Sequence, residues 1–316
     1  MKQKRTYRQK KSKGKIKVVD LFAGCGGLSL GFERKGFNIV AAFDNWEPAI
    51  QTYKSNFKHP IFKKDLSDTK NLSEIIALKP TVIIGGPPCQ DFSSAGHRNE
   101  KLGRADLTIS FSEIIAKVQP KYFVMENVPR IQKSKILTSI IKKFKKLGYG
   151  LTMTVLDASK CGVPQIRKRF VLIGEMNGQD DFLLHQLTSN LSKEQITLQD
   201  YFGDSLGFEY YFRVPRSYSR RGIFSIYEPS MTIRGVDRPV PSGYPGHSAD
   251  PIKLNSSIRT LTYRERSLIQ TFPKSFVFEG SKTNLNQLIG NAVPVKLAEY
   301  IAHELKKYIE GSNAKN

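Results

Sequence analysis

Cysteine is scarce in this chain: Cys25, Cys89 and Cys161 are the only three in 316 residues. They are odd in number, far apart, and form no CxxC pair with histidines at metal-ligand spacing, which excludes a disulfide framework and a zinc site. Long apolar runs are missing as well. No stretch approaches the length that spans a bilayer, and the N-terminus carries no apolar secretory segment, so the expectation is a cytoplasmic protein with no membrane partner. Internal repeats are absent, which excludes a solenoid. Acidic residues are few: 28 Asp and Glu stand against 50 Lys and Arg, leaving +22 at pH 7 and a pI near 9.8. Such a balance is extreme for an enzyme of small anionic metabolites. It points to a polyanion, nucleic acid rather than membrane.

What is present suffices for a large core. At 39% hydrophobic residues the chain can hold one large α/β domain and a smaller second one. The opening MKQKRTYRQKKSKGK cannot bury surface, which predicts a basic disordered tail over 1–15 that is free to touch phosphates. From Ile16 short apolar runs alternate with amphipathic stretches: IKVVDLF, GLSLGFERKGF, NIVAAFD, EPAIQTYKSNF, TVIIGG, DLTISFSEIIAKV, KYFVMENV and the basic ILTSIIKKFKKLG. That alternation predicts a parallel sheet covered on both faces, filling 16–175 as the first part of a catalytic domain. Residues 176–258 lose the rhythm and are rich in Gly, Pro, Ser, Tyr and Arg, which predicts a separate small domain. A helical region follows over 259–286. The chain then returns to the first domain over 287–316, with NQLIGNAVPVKLAEYIAHELKKYI read as a loop and an amphipathic helix.

Several stretches carry chemistry. DLFAGCGGLSLGF at 20–32 is a strand running into a Gly-rich turn and a helix, the place where an α/β sheet lets a ligand approach the backbone. Its spacing differs from the dinucleotide GxGxxG. Asp44 ends the next strand, where an acid accepts hydrogen bonds from ribose or else caps the helix after it; Asp65 ends a third run and could reach an adenine amino group. Together these suggest an adenosine-containing cofactor that needs no phosphate-binding charges. GGPPCQDFSSAG at 85–96 holds Cys89 on a stiff turn after a buried strand, as core packing or as a nucleophile. MENV at 125–128 puts Glu126 at a strand tip, where a carboxylate is either paired or functional. QIRKR at 165–169 sets Gln165, Arg167 and Arg169 on one face by period two, unless they form a solvated strand edge. A thiol, a carboxylate and arginines at neighbouring strand ends could attack, protonate and orient a polar ring.

In their order, DLFAGCGGLSLGF, GGPPCQDFSSAG, ENV, QIRKR, RTLTYRERSLIQTFP and QLIGNAVPVKLA resemble the motif set of the DNA cytosine carbon-5 methyltransferases, from Val18 to the C-terminal helix. The resemblance implies a Rossmann-like α/β sheet dependent on S-adenosylmethionine, with a smaller target-recognition domain at 176–258. It implies that Phe22, Gly24, Gly26, Gly27 and Pro88 line the cofactor pocket, that Asp44 holds the ribose and Asp65 the adenine, and that Asn291 and Val293 close the methionine end. Where the family often has a large residue packed on adenine, this chain has Asn45, with Trp46 one place later. Cys89 matches the nucleophile, Glu126 the acid beside the base, and Arg167 and Arg169 the arginines that orient cytosine, Arg169 at its O2. Duplex DNA is the implied partner, met by Gln90, Ser93, Arg98, Arg104, Gln165, Arg220, Arg221 and Arg234. Arg213, Arg216 and Arg238 belong to the same basic region. SSAGHRNEKLGRAD, hinged by Gly96 and Gly103, would close as a lid over flipped DNA. A monomer is implied, working beside a cognate restriction endonuclease without a stable complex.

Two rivals share the motifs. A tRNA cytosine methyltransferase would carry a Cys-Phe-Thr signature in the variable region, and 176–258 contains no cysteine. A catalytically inactive DNA-binding regulator would have lost Cys89, Glu126 or the glycines, and all are present.

Overall fold

The order of elements follows the alternation in the sequence. A computed structural model describes residues 16–88 and 107–315. Residues 1–15, 89–106 and 316 lie outside the described residues, and with them the basic tail, the lid stretch, Cys89, Gln90, Ser93, Arg98 and Arg104. In chain order come β1 (Lys17–Leu21), α1 (Gly27–Arg34), β2 (Asn38–Asp44), α2 (Glu47–Lys54), β3 (Ile61–Lys63), α3 (Ser73–Ala77) and β4 (Val82–Gly85). Then follow α4 (Leu107–Val118), β5 (Tyr122–Asn127), α5 (Lys135–Lys146), β6 (Tyr149–Asp157), β7 (Gln165–Ile166) and β8 (Lys168–Met176).

Seven strands form the central sheet in the order β3-β2-β1-β4-β5-β8-β6. Successive residues of a strand point to opposite faces, so a strand buried on both sides is apolar throughout. Val18, Ile84 and Val124 fill one core with Phe32 of α1, while Val19, Ile83 and Phe123 fill the other with Phe111 and Phe144 of α4 and α5. The alternation predicted a parallel sheet, and β1 to β5 are parallel, but β8 runs against both β5 and β6. The chain between Asp157 and Lys168 is too short for a helical crossover, so it can only turn back beside the strand it left. Strand order reverses between β1 and β4. At such a switch point the loops after neighbouring strands part and leave a crevice at their carboxyl ends. The Gly-rich turn follows β1, and Gly86, Pro87 and Pro88 follow β4.

Past β8 the chain first packs back on the sheet's own core. Leu183 and Leu187, the latter on α6 (Leu184–Ser189), are fully buried in the first core, and the Tyr300 hydroxyl donates to the Leu187 carbonyl at 3.0 Å. A new core starts at α7 (Leu198–Phe202) and gathers Tyr211 of β9 (Tyr210–Phe212), Phe224 of β10 (Ile223–Ser225), Ile269 of α8 (Tyr263–Ile269) and Leu288 of α9 (Lys282–Asn291). Cys25 and Ala49 of the sheet domain share that core. β11 (Ser230–Met231) also pairs in parallel with β7, so the two parts are joined by packing and by backbone. The stretch from Asn286, expected as a loop and a helix, begins inside α9. The C-terminal α10 (Val295–Lys315) then packs on α1 through Leu297, Ala298 and Ile301. Among the described residues no helix is long and apolar enough to cross a membrane.

Candidate functional site

The turn after β1 is held in an uncommon shape. Phe22, Gly24 and Gly26 all have left-handed backbones, with φ of 56°, 55° and 91°. A non-glycine residue there is strained and persists only where the surroundings hold it. Asp44, at the end of β2, supplies part of that hold. One carboxylate oxygen accepts the Gly24 amide at 2.8 Å and the other the Trp46 amide at 2.9 Å, which leaves lone pairs free on both. Burial raises its carboxyl above the usual range in spite of those amides. The N-cap of α2 is Trp46, so Asp44 serves the turn as well as the helix start. Gly27 is pressed by the other chain end: a Cβ there would lie 2.2 Å from the Val293 carbonyl oxygen. Beside Gly24, in contrast, the space is open. Val293 is buried, whereas Asn45, Asp65, Pro88 and Asn291 are exposed. The Asp65 carboxylate accepts the Ser67 amide at 2.9 Å, which lowers its pKa.

Asp20 lies two residues before the turn, fully buried, and burial pushes its carboxyl up to about 7. An acid whose pKa is raised on folding binds its proton more tightly in the folded state, so stability falls as pH rises from about 4 to 7. Asp20→Asn should therefore look better against the parent at pH 8 than at pH 5, by on the order of 1–3 kcal/mol. Urea unfolding at the two pH values measures this; equal differences at both would show that the Asp20 carboxyl is not titrating in the fold.

Across the switch point, Glu126 sits near the end of β5, 7% exposed, with one carboxylate oxygen 2.8 Å from Nε of Arg169. Burial lowers the pKa of Arg169, and Glu126 opposes that shift. The neighbouring Asn127 donates its amide to the Pro87 carbonyl at 3.2 Å and accepts the Val128 amide at 2.8 Å. It ties the Glu126 strand to the turn that leads to Cys89. Reading the sequence did not single out Asn127; a carboxamide at the end of a wholly buried strand was the available signal.

Arg167 and Gln165 both turn inward to a common partner, Ile233. Arg167 falls in the break between β7 and β8, 2% exposed, and its guanidinium donates to the carbonyls of Ile233, Gly290 and Ala292, each at 2.9 Å. Burial drives its pKa well down, and nearby Arg169 adds to this. Gln165 is wholly buried; its amide donates to Gln270 at 2.8 Å and its oxygen accepts the Ile233 amide at 2.8 Å. In this conformation neither side chain reaches the crevice surface. Both join the sheet domain to the small one, because inward side chains beside a second domain find backbone partners there. Gln270, whose amide reaches the Ile289 carbonyl at 2.6 Å, completes that junction and was not foreseen.

The small domain is basic. Arg220 is exposed, Arg221 pairs with Glu228 and lies 4.4 Å over the Phe224 ring, and Arg234 donates to the Val214 carbonyl at 2.7 Å. Burial lowers the pKa of Arg234, and so do its neighbours Arg216 and Arg238. Burial and Arg234 together take Arg213 down to about 10. Asp237 offsets part of that crowding of like charge at Arg234. Cys25 and Cys161 are both buried, and burial pushes each thiol up to about 12. Neither is poised as a thiolate. Among the described residues no group of His, Cys, Asp and Glu could hold a metal ion.

Comparison with known proteins bears on this arrangement. Residues 16–307 match the family described as C-5 cytosine-specific DNA methylase. Type II methyltransferase M.HindV of Haemophilus influenzae is 59% identical over 289 residues, covering 91% of this chain and 95% of the relative. Type II methyltransferase M.HgiDI of Herpetosiphon aurantiacus is 52% identical, covering 93% and 95%. The crystal structure of S. pombe Dnmt2 methyltransferase shares the fold, with a TM-score of 0.69 at 18% identity over 95% of this chain and 99% of that one.

Proposed function

The chain belongs to the C-5 cytosine-specific DNA methylases, and from that premise we propose that Cys89 attacks carbon 6 of a cytosine flipped out of duplex DNA. It is a Type II methyltransferase of the restriction-modification kind. The observation that carries the proposal is the buried Glu126–Arg169 pair at 2.8 Å, tied through Asn127 to the Pro-Pro-Cys turn. Carbon 5 of cytosine is a poor nucleophile. Addition of the Cys89 thiolate at carbon 6 makes it enamine-like, and charge develops at N3. Glu126, sharing a proton there, neutralises that charge in a dry site where such contacts are strong, while Arg169 holds Glu126 and the cytosine O2. Loss of the carbon-5 proton after methylation expels Cys89 and restores the ring.

The turn after β1 fits S-adenosylmethionine, which when bound supplies a methyl group made electrophilic by its sulfonium centre. Gly24 opens on free space, Phe22, Gly26 and Gly27 shape the turn, Asp44 has lone pairs left for a ribose, and the Val293 carbonyl borders Gly27, with Asn291 two residues before it to close the methionine end. Asp65, for the adenine, and Pro88, for the cofactor pocket, are both exposed. Extruding a base costs about a few kcal/mol, which contacts between phosphates and the basic small domain offset. The small domain selects the target sequence.

Incubating the protein with methyl-labelled S-adenosylmethionine and either duplex DNA or tRNA tests the reading. Label should enter duplex DNA, and bisulfite sequencing should place it at cytosine carbon 5 within one short recurring sequence. Label in tRNA alone, or in no nucleic acid, would overturn it.

A further inference from the structure

Beneath the Gly-rich turn runs a chain of side-chain hydrogen bonds. The Ser29 hydroxyl on α1 donates to Asp20 of β1 at 2.7 Å, the Tyr53 hydroxyl on α2 donates to Ser29 at 2.6 Å, and Tyr53 lies 2.7 Å from Nε2 of His59. One orientation runs through the chain: a neutral His59 donates to Tyr53, Tyr53 to Ser29, and Ser29 to Asp20 Oδ2. Burial lowers His59 to about 4, in keeping with a neutral ring. Asp20, Ser29 and Tyr53 are all fully buried. The two ends of the chain matter for the turn: Asp20 precedes Phe22 by two residues and Ser29 follows Gly27 by two, so their bond staples its ends. The Tyr53 ring also fills the space under it. A Cβ on Gly26 would lie 2.9 Å from that ring and 2.4 Å from the Phe57 ring stacked beside it.

We propose that Tyr53 is a positioning residue for the cofactor, its hydroxyl bracing the Asp20–Ser29 staple and its ring supporting Gly26, so that the turn keeps its left-handed shape before S-adenosylmethionine arrives. The proposal rests on the reading that this turn holds S-adenosylmethionine. A preformed turn spends no binding free energy on ordering, so loosening it weakens affinity without touching the reacting groups. Ser29 and His59 each lose a partner if the hydroxyl goes, while the ring and its packing stay.

Tyr53→Phe in the full chain should therefore raise both the Kd and the KM for S-adenosylmethionine about tenfold, with kcat and DNA affinity unchanged. Ser29→Ala should do the same, and the double variant should be no worse than the poorer single, since the two act through one chain. Tyr122→Phe is the control. It removes another buried tyrosine hydroxyl's hydrogen bond, 2.9 Å to Glu175, between β5 and β8, and should leave cofactor affinity as in the parent. Calorimetry with S-adenosylmethionine and steady-state kinetics read the split. Parent-like affinity in Tyr53→Phe, or an equal loss in Tyr122→Phe, would refute the positioning role and leave the cofactor reading standing. A parent protein that does not bind S-adenosylmethionine would remove both.

Discussion

Cys89→Ser should lose methyl transfer by on the order of a thousandfold or more, because a hydroxyl is far less ionised and less nucleophilic than a thiol at neutral pH. The stronger readout is covalent. Duplex DNA carrying 5-fluorocytosine at the target should trap the parent protein in an adduct that survives denaturation and needs S-adenosylmethionine, since methyl transfer can occur while fluorine cannot leave as a proton does. Cys89→Ser should form none. Cys25→Ser and Cys161→Ser should still form it, for both thiols are buried and held near 12. Cys25 also lies in the core shared by the two domains, its sulfur 3.7 Å from the Leu288 carbonyl. An adduct that persists in Cys89→Ser and vanishes in either of the others would reassign the nucleophile. The Pro-Pro turn would then need a structural explanation.

Patterns that repeat within a few residues were legible, and choices made by distant partners were not. Apolar runs alternating with amphipathic ones placed β1, β2, β4 and β5, because a strand buried on both faces must be apolar wherever it is read. Glu126 could be picked out for a similar reason: a carboxylate inside KYFVMENV conflicts with its surroundings, and such conflicts mark paired or functional groups. The direction of β8 depends on the length of a connection rather than on its own residues. The packing of residues 183–187 on the first core was hidden by the same kind of cause. LHQLTS is too short to show a helical period, yet Leu183 and Leu187 are wholly buried against α10. Asn127 was overlooked because its partner, the Pro87 carbonyl, is forty residues away in the chain.

The two arginines of QIRKR show the limit most clearly, and they carry the second large expected effect. Period two makes Arg167 and Arg169 equivalent, yet the strand breaks between Ile166 and Lys168, and there the guanidinium of Arg167 turns to three carbonyls of the small-domain side. Arg169 turns to Glu126. Arg167→Met should leave those carbonyls without their donor and cost about 3 kcal/mol of stability, as stranded buried acceptors do. Its kcat, per folded molecule, should stay within about tenfold of the parent, because nothing beside the base has been removed. Arg169→Met should behave in the opposite way. It exposes no carbonyl ladder, but it leaves Glu126 without the partner that orients it and removes a donor from the ring, so kcat should fall about a hundredfold. Urea unfolding and single-turnover methylation of both variants separate the roles. Should Arg167→Met keep its unfolding midpoint and lose the chemistry, the guanidinium must leave the junction to meet the base, and the equivalence read from the sequence would be restored.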